Sequence, residues 1–304
     1  MLVPGGPDIR WTYDSGTLRR SVRPAGHDPA AESAVTETPE RPVQLHLDPA
    51  AALRPEPSPA ATPWPDAVAE PAEGALDLWL LHTPDAWLRS ADPDRSPLDA
   101  GERERAEAFV HDLDRAKYVA AHLMLRRVLG AYLGVAPGEV EFTREPCPCC
   151  GKPHGRPAVT AAGAPHFSMS HGGNLVLVGV AAAPVGVDTE QLAAAHTVEQ
   201  VSQALHPAEH REVMAAPAVR RPAVFTRLWV RKEAYLKGLG TGLGRSPDLD
   251  YLGNGGPGTP AWPAGWTIVD VPVGTGHAAA AVRGPLTSRY EVKRLNPEGL
   301  CVTS

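Results

Sequence analysis

Apolar and polar residues alternate at Leu76-Asp77-Leu78-Trp79-Leu80-Leu81, the spacing of a half-buried strand. From Pro97 to Leu133 the period lengthens to about 3.6 residues, with Phe109, Leu113, Tyr118, Leu123, Leu125 and Leu129 near one face and Gly130 or Gly134 as stops. That pattern predicts two helices, parted near His111. Val140 to Phe142 reads as a strand, and a loop of Cys, Pro and Gly over 146–157 leads to the strand Phe167-Ser168-Met169-Ser170-His171. Further strands rich in β-branched residues are expected at Leu175 to Val180 and Val185 to Val187. The second half keeps this order without repeating the sequence: a strand over 185–190, helices near 197–215 and 219–239, then strands near 266–273, 277–283 and 289–295. Helices that follow one strand and precede several argue for an α+β protein, not an alternating doubly wound sheet. Two lobes of about 100 residues each are expected, over 75–183 and 184–304.

Residues 1–74 differ. They hold 13 of the 33 prolines and no sustained apolar period, and they read as a disordered extension. Their 11 acids and 6 bases give −5 of the chain's net −6, so the remainder is nearly neutral. A nucleic-acid binder would carry a basic excess to neutralise phosphates. Asp8, Arg10, Asp14, Arg19 and Arg20 interrupt any signal-peptide core, and the longest apolar run, Leu175 to Val187, is broken by Pro184 and too short to span a membrane. The expectation is a cytoplasmic protein that binds neither nucleic acid nor membrane. Cys147, Cys149 and Cys150 crowd one loop and Cys301 lies near the C-terminus, which is no disulfide framework.

Three segments carry chemistry. In Gly186-Val187-Asp188-Thr189-Glu190, residues 188 and 190 point the same way on an extended chain, so two carboxylates share a face as a hard cation requires; a solvated strand end has the same composition. In the helix from Phe225 to Gly242, Glu233 and Lys237 stack one turn apart, which also describes an ordinary surface ion pair. Only five of the 29 basic residues are lysines, yet Lys117, Lys152, Lys232 and Lys237 all fall in these candidate segments, where a compact point charge suits a phosphate. The third segment is Gly155-Arg156-Pro157 followed by Ser168-Met169-Ser170-His171-Gly172-Gly173, offering a hydroxyl, an imidazole and approachable amides. No G-x-S-x-G elbow precedes these serines, which argues against a serine hydrolase.

In their order and spacing these segments resemble the phosphopantetheinyl transferases of the surfactin and enterobactin synthetase type, from about Leu76 to the C-terminus. The resemblance implies a pseudo-twofold pair of α+β lobes with coenzyme A in the cleft. It implies a monomer that moves the 4′-phosphopantetheine arm of coenzyme A onto a serine of an acyl or peptidyl carrier protein with Mg²⁺. Asp188, Glu190 and Glu233 match the metal-binding acids, and Lys232 and Lys237 the lysines beside the pyrophosphate. Arg156, Ser170 and His171 match coenzyme A contacts, and Arg105 and Lys117 align with bases near its 3′-phosphate. Glu233, or a magnesium-bound water beside it, is the candidate base, and Glu233 and Lys237 are the candidate catalytic pair. A metal-dependent phosphohydrolase and a non-catalytic carrier-binding module are the alternatives. Outside the family pattern stand the long extension and Cys147-Pro148-Cys149-Cys150-Gly151-Lys152-Pro153-His154, where Cys147, Cys150 and His154 suit zinc or remain a free imidazole and thiols.

Overall fold

The computed structural model describes residues 8–14, 17–23, 61–274, 276–288 and 290–301. The chain divides into two compact units, 1–41 and 42–304. In the first, β1 (Asp8–Asp14) and β2 (Thr17–Arg23) pair antiparallel from Asp8↔Arg23 to Asp14↔Thr17. This hairpin interrupts the stretch that the proline content marks as an extension. Its first strand places Ile9, Trp11 and Tyr13 at alternate positions, too short a run to stand out against the surrounding composition.

The second unit is built on two sheets. One has the order β11-β3-β7-β6, from β3 (Leu76–His82), β6 (His166–Gly172), β7 (Leu175–Ala181) and β11 (Glu291–Leu295). The other has the order β8-β10-β9, from β8 (Val185–Glu190), β9 (Trp266–Val271) and β10 (His277–Arg283). A short hairpin, β4 (Phe142–Arg144) and β5 (Pro157–Val159), stands apart. All joined pairs are antiparallel except β11 with β3, where the last strand returns to the first lobe's sheet with Glu291 opposite Asp77.

Strand alternation sets the layers. Trp79, Leu81, Val176 and Val178 pack under α3 (Asp112–Leu133), while Leu78, Leu80, Leu175 and Leu177 meet Val185, Val187, Val269 and Ala280 of the second sheet. Ala279, Ala281 and Ile268 turn to the other side and receive Val230, Ala234 and Leu236 of α6 (Arg221–Leu239). The order is helix, sheet, sheet, helix, an α+β protein with one long helix over each sheet. Strands covered on both faces lose the polar alternation of a half-buried strand, which is why all seven residues of β7 are buried. Among the described residues, no helix is long and apolar enough to cross a membrane.

The expected pair of helices before Gly134 is α2 (Ala100–Glu107) and α3, parted by His111 at the start of α3. The short α1 (Asp85–Ser90) and strand β5 escape the sequence pattern because each is only six and three residues long. The helical stretch near 197–215 is two helices, α4 (Ala195–Val201) and α5 (Pro207–Ala215), with Pro207 opening the second. Residues 61–74, assigned by composition to the extension, lie along the core. Trp64 donates to the Asn296 carbonyl at 2.8 Å beneath the Arg127 guanidinium, and the Val68 amide bonds to the Ala131 carbonyl.

Asp270 on β9 fixes α6 to its sheet. It accepts from Arg227 at 2.9 and 2.6 Å and from Arg231 at 2.7 Å twice. Burial pushes its carboxyl up, but the guanidiniums, Arg231 foremost, outweigh it and hold the pKa below the ordinary value. A folded pKa below the unfolded 3.8 means that the stabilisation is complete above that value and is lost as pH falls through the folded one. Asp270→Asn is expected to cost about 3 kcal/mol at neutral pH, because two guanidiniums lose their counter-charge. The deficit should shrink below about pH 4, where the parent's own carboxylate protonates; urea unfolding of both proteins across that range measures it.

Candidate active site

The site forms where β8 runs under the last turns of α6. A Cβ at residue 186 would collide with the carbonyl of Ala234 and the amide of Gly238, so glycine is what lets helix and strand backbones touch. Two residues on, Asp188 faces the same helix. It is almost fully buried, and its Oδ1 receives the Lys237 ammonium at 2.7 Å and the Ser170 hydroxyl at 2.8 Å. Lys237 also contacts Ser170 Oγ at 3.1 Å. Asp188 Oδ2 is buried with no hydrogen-bond partner.

Glu233 lies one turn before Lys237 on the same face of α6. Burial, and next the negative charge of Asp188, push its carboxyl up to about 7. Lys237 is raised as well, for the opposite reason: burial disfavours its charge, but Asp188 and then Glu233 outweigh that. Two carboxylates that repel one another beside an orphaned carboxylate oxygen form a donor set that fits a hard cation. Glu190 ends β8 opposite His277, two residues beyond Asp188 on the same strand.

Strand β6 supplies the neighbouring wall. Phe167 and Met169 pack toward α3, while Ser168 and Ser170 turn to β8, where Ser168 Oγ accepts from the Val187 amide at 3.1 Å. Ser170 is thus brought to the site, as a donor that orients Asp188. His171 leaves β6 with the Phe167 row and is exposed. Partial loss of water, then the charges of His122, Lys237 and Lys117, hold it below the ordinary imidazole range.

From Lys237 a cleft of about 800 Å³ extends between α2, α3, the β4–β5 hairpin and the turn after α6. Arg105, Tyr118 and His122 line one side, Arg144 and Arg156 another, and Gly240 and Thr241 close the helix end. Arg105 is placed by α2, whose Asp99 and Glu102 form a capping box and both bind the buried Arg126 of α3, at 2.8 and 2.6 Å. Arg156 is held by Glu145 at 3.1 Å and donates to the Gly238 carbonyl at 2.6 Å, joining the hairpin to α6. Tyr118, His122 and Arg144 belong to the cleft and were not read from the sequence. Tyr118 looks like a core position, and only its stacking on His122, four residues on with centroids 3.9 Å apart, shows a shared face.

The structure places Lys232 apart from Lys237. Its ammonium is buried, bound to Glu209 at 2.9 Å and to the Asp250 carbonyl, and it does not line the cleft. Five residues turn a helix by about 140° relative to Lys237, so the two lysines cannot share a face. Burial raises Glu209 and lowers Lys232, and each charge counters the other's shift.

A family model described as the 4′-phosphopantetheinyl transferase superfamily matches residues 184–253, the stretch from β8 through α6. The chain is 32% identical over 220 residues to the 4′-phosphopantetheinyl transferase HetI of a Nostoc species, covering 69% of this chain and 88% of that protein. It is 25% identical over 158 residues to a 4′-phosphopantetheinyl transferase of Bacillus subtilis, covering 51% and 67%. To the transferase Sfp of Bacillus subtilis strain 168 it is 23% identical over 141 residues, covering 46% and 59%.

The two lysines of α6 separate by experiment. Lys232→Ala strands the Glu209 carboxylate in the core and is expected to cost about 3–5 kcal/mol, whereas replacing both partners by apolar residues recovers much of it. Lys237→Ala should leave the unfolding midpoint closer to the parent's, because the lysine is 32% exposed; chemical denaturation of the three variants is the check.

With 32% identity across 88% of a transferase and the family match from β8 past α6, the chain belongs to the 4′-phosphopantetheinyl transferase family.

Proposed function

We propose that Asp188, Glu190 and Glu233 hold Mg²⁺ beside the coenzyme A pyrophosphate, and that Glu233 takes the proton of the attacking serine. The reaction is transfer of 4′-phosphopantetheine to a carrier-protein serine. The serine oxygen attacks the β-phosphorus, a new P–O bond forms, and the bond to adenosine 3′,5′-bisphosphate breaks. The observation that carries this reading is the buried Asp188 carboxylate, with one oxygen on the cleft-lining Lys237 and the other without a partner.

The chain's own groups divide the work. Lys237 offsets phosphate charge, and Ser170 donates to Asp188 Oδ1 and so fixes its rotamer. Glu233, with its raised pKa, suits proton transfer near neutrality. Arg105, Arg144 and Arg156 give the cleft the positive wall that a nucleotide phosphate requires. Lys117 of α3, whose charge helps lower the His171 pKa, is the second base assigned to the 3′-phosphate. Bound Mg²⁺ would neutralise the pyrophosphate oxygens. Both co-substrates belong to the cytoplasm, which is where we place the enzyme, acting as a monomer.

Intact mass of an apo-carrier protein after a single turnover with coenzyme A and Mg²⁺ tests this reading. Gain of one phosphopantetheine is expected; release of coenzyme A fragments with no gain on the carrier would indicate a phosphohydrolase. In the same assay, raising Mg²⁺ to the order of tens of millimolar should restore part of the Asp188→Ala rate but little of Glu233→Gln. Equal rescue would make Glu233 a ligand only.

Removal of the coenzyme A 3′-phosphate should weaken binding roughly tenfold or more, as expected for losing a charge-assisted contact of about 1.5–3 kcal/mol. Arg105→Ala and Lys117→Ala should narrow that difference, measured as KM for the two co-substrates. Unchanged discrimination would move the 3′-phosphate elsewhere in the cleft.

A further inference from the structure

At the tip of the β4–β5 hairpin, outside the acidic site, Cys147, Cys150 and His154 bring two sulfurs and a ring nitrogen within 4.8 Å of one another. Tetrahedral zinc with bonds of about 2.3 Å to sulfur and 2.0–2.1 Å to nitrogen sets its ligand atoms roughly 3.5–3.8 Å apart. The three groups are therefore already close to that spacing, and Cys150 Sγ and His154 Nε2, now 2.9 Å apart, need to open by only about half an ångström.

The backbone is shaped for this. Pro148 has no amide hydrogen, and the Cys150 amide donates to the Cys147 carbonyl at 3.3 Å. The Gly151 amide bonds back to the Cys147 carbonyl at 2.7 Å, with Gly151 at φ +70°, a left-handed conformation that closes the turn. Cys147 is buried while Cys150 and His154 are exposed, so an ion would sit between an anchored thiolate and solvent.

We propose that Cys147, Cys150 and His154 bind one zinc ion, with water as the fourth ligand. Cys149 is exposed and follows directly in the turn, outside the cluster of three. Two thiolates and a neutral imidazole balance the charge of Zn²⁺, and binding releases the two thiol protons. The ion would tie down the loop whose next residues, Gly155 and Arg156, line the cleft. This makes it a positioning device for Arg156, built from other residues than the acids around Asp188.

Metal content of the full-length chain, loaded with zinc and passed through a desalting column, tests the site without reference to activity. About one ion per chain is expected, falling more than tenfold in Cys150→Ser and in His154→Ala and unchanged in Cys149→Ser. Cobalt substitution of the unmodified chain guards against a variant that fails to fold. It should give the intense visible bands of tetrahedral cobalt and a thiolate charge-transfer band in the near ultraviolet. No retained metal, a Cys147–Cys150 disulfide in the reduced preparation, octahedral cobalt, or loss of metal in Cys149→Ser would each overturn the assignment.

Discussion

The close approach of α6 to β8 is the constraint on which the site depends. The two backbones meet at Gly186, where any side chain would collide with the helix. That contact puts Asp188 within reach of Lys237, and it lets one side-chain layer serve both the core and the chemistry. Asp270, Arg227 and Arg231 hold the other flank of the same helix, so the position of Glu233 and Lys237 is fixed from two sides.

Helix α6 carries two lysines in opposite employment. Lys232 and Glu209 form a fully buried pair that is costly to break and adds little to net stability over an apolar equivalent. The pair links α5 to α6, and the Leu252 amide, donating to Glu209 at 2.6 Å, ties in the segment after α6. Lys237, partly open to solvent, keeps a charge that can meet a phosphate while its nitrogen remains on Asp188. The same residue type supplies a structural tie at one position and an electrostatic group at the other, by rotation about the helix axis alone.

The cleft joins parts of different origin. Its floor comes from β6 and α6 and its walls from α2, α3 and the β4–β5 hairpin, and acids fix the bases there: Asp99 and Glu102, which also line the cleft, bind Arg126, and Glu145 binds Arg156 within the hairpin. Buried guanidiniums and carboxylates are thus arranged so that cationic side chains reach the cleft from elements whose orientation is set elsewhere. A cleft with preorganised positive charge suits a polyanionic co-substrate, since little reorganisation is left for the moment of reaction.

The strand and helix periods determined the element types, the α+β class and the pairing of Asp188 with Glu190 on one face, because these depend on neighbours two to four residues apart. Family motifs singled out Asp188, Glu233 and Lys237, which the structure brings together. What the sequence could not decide was any property set by contacts distant along the chain. The return of β11 to β3, the packing of Trp64 on Arg127, the cleft role of Tyr118 and His122, and the burial of Lys232 on Glu209 all belong to that class. A lysine beside a motif glutamate reads identically whether it faces phosphate or protein. Only the tertiary structure, by bringing α5 against one side of α6 and β8 against the other, determines which lysine is left to act.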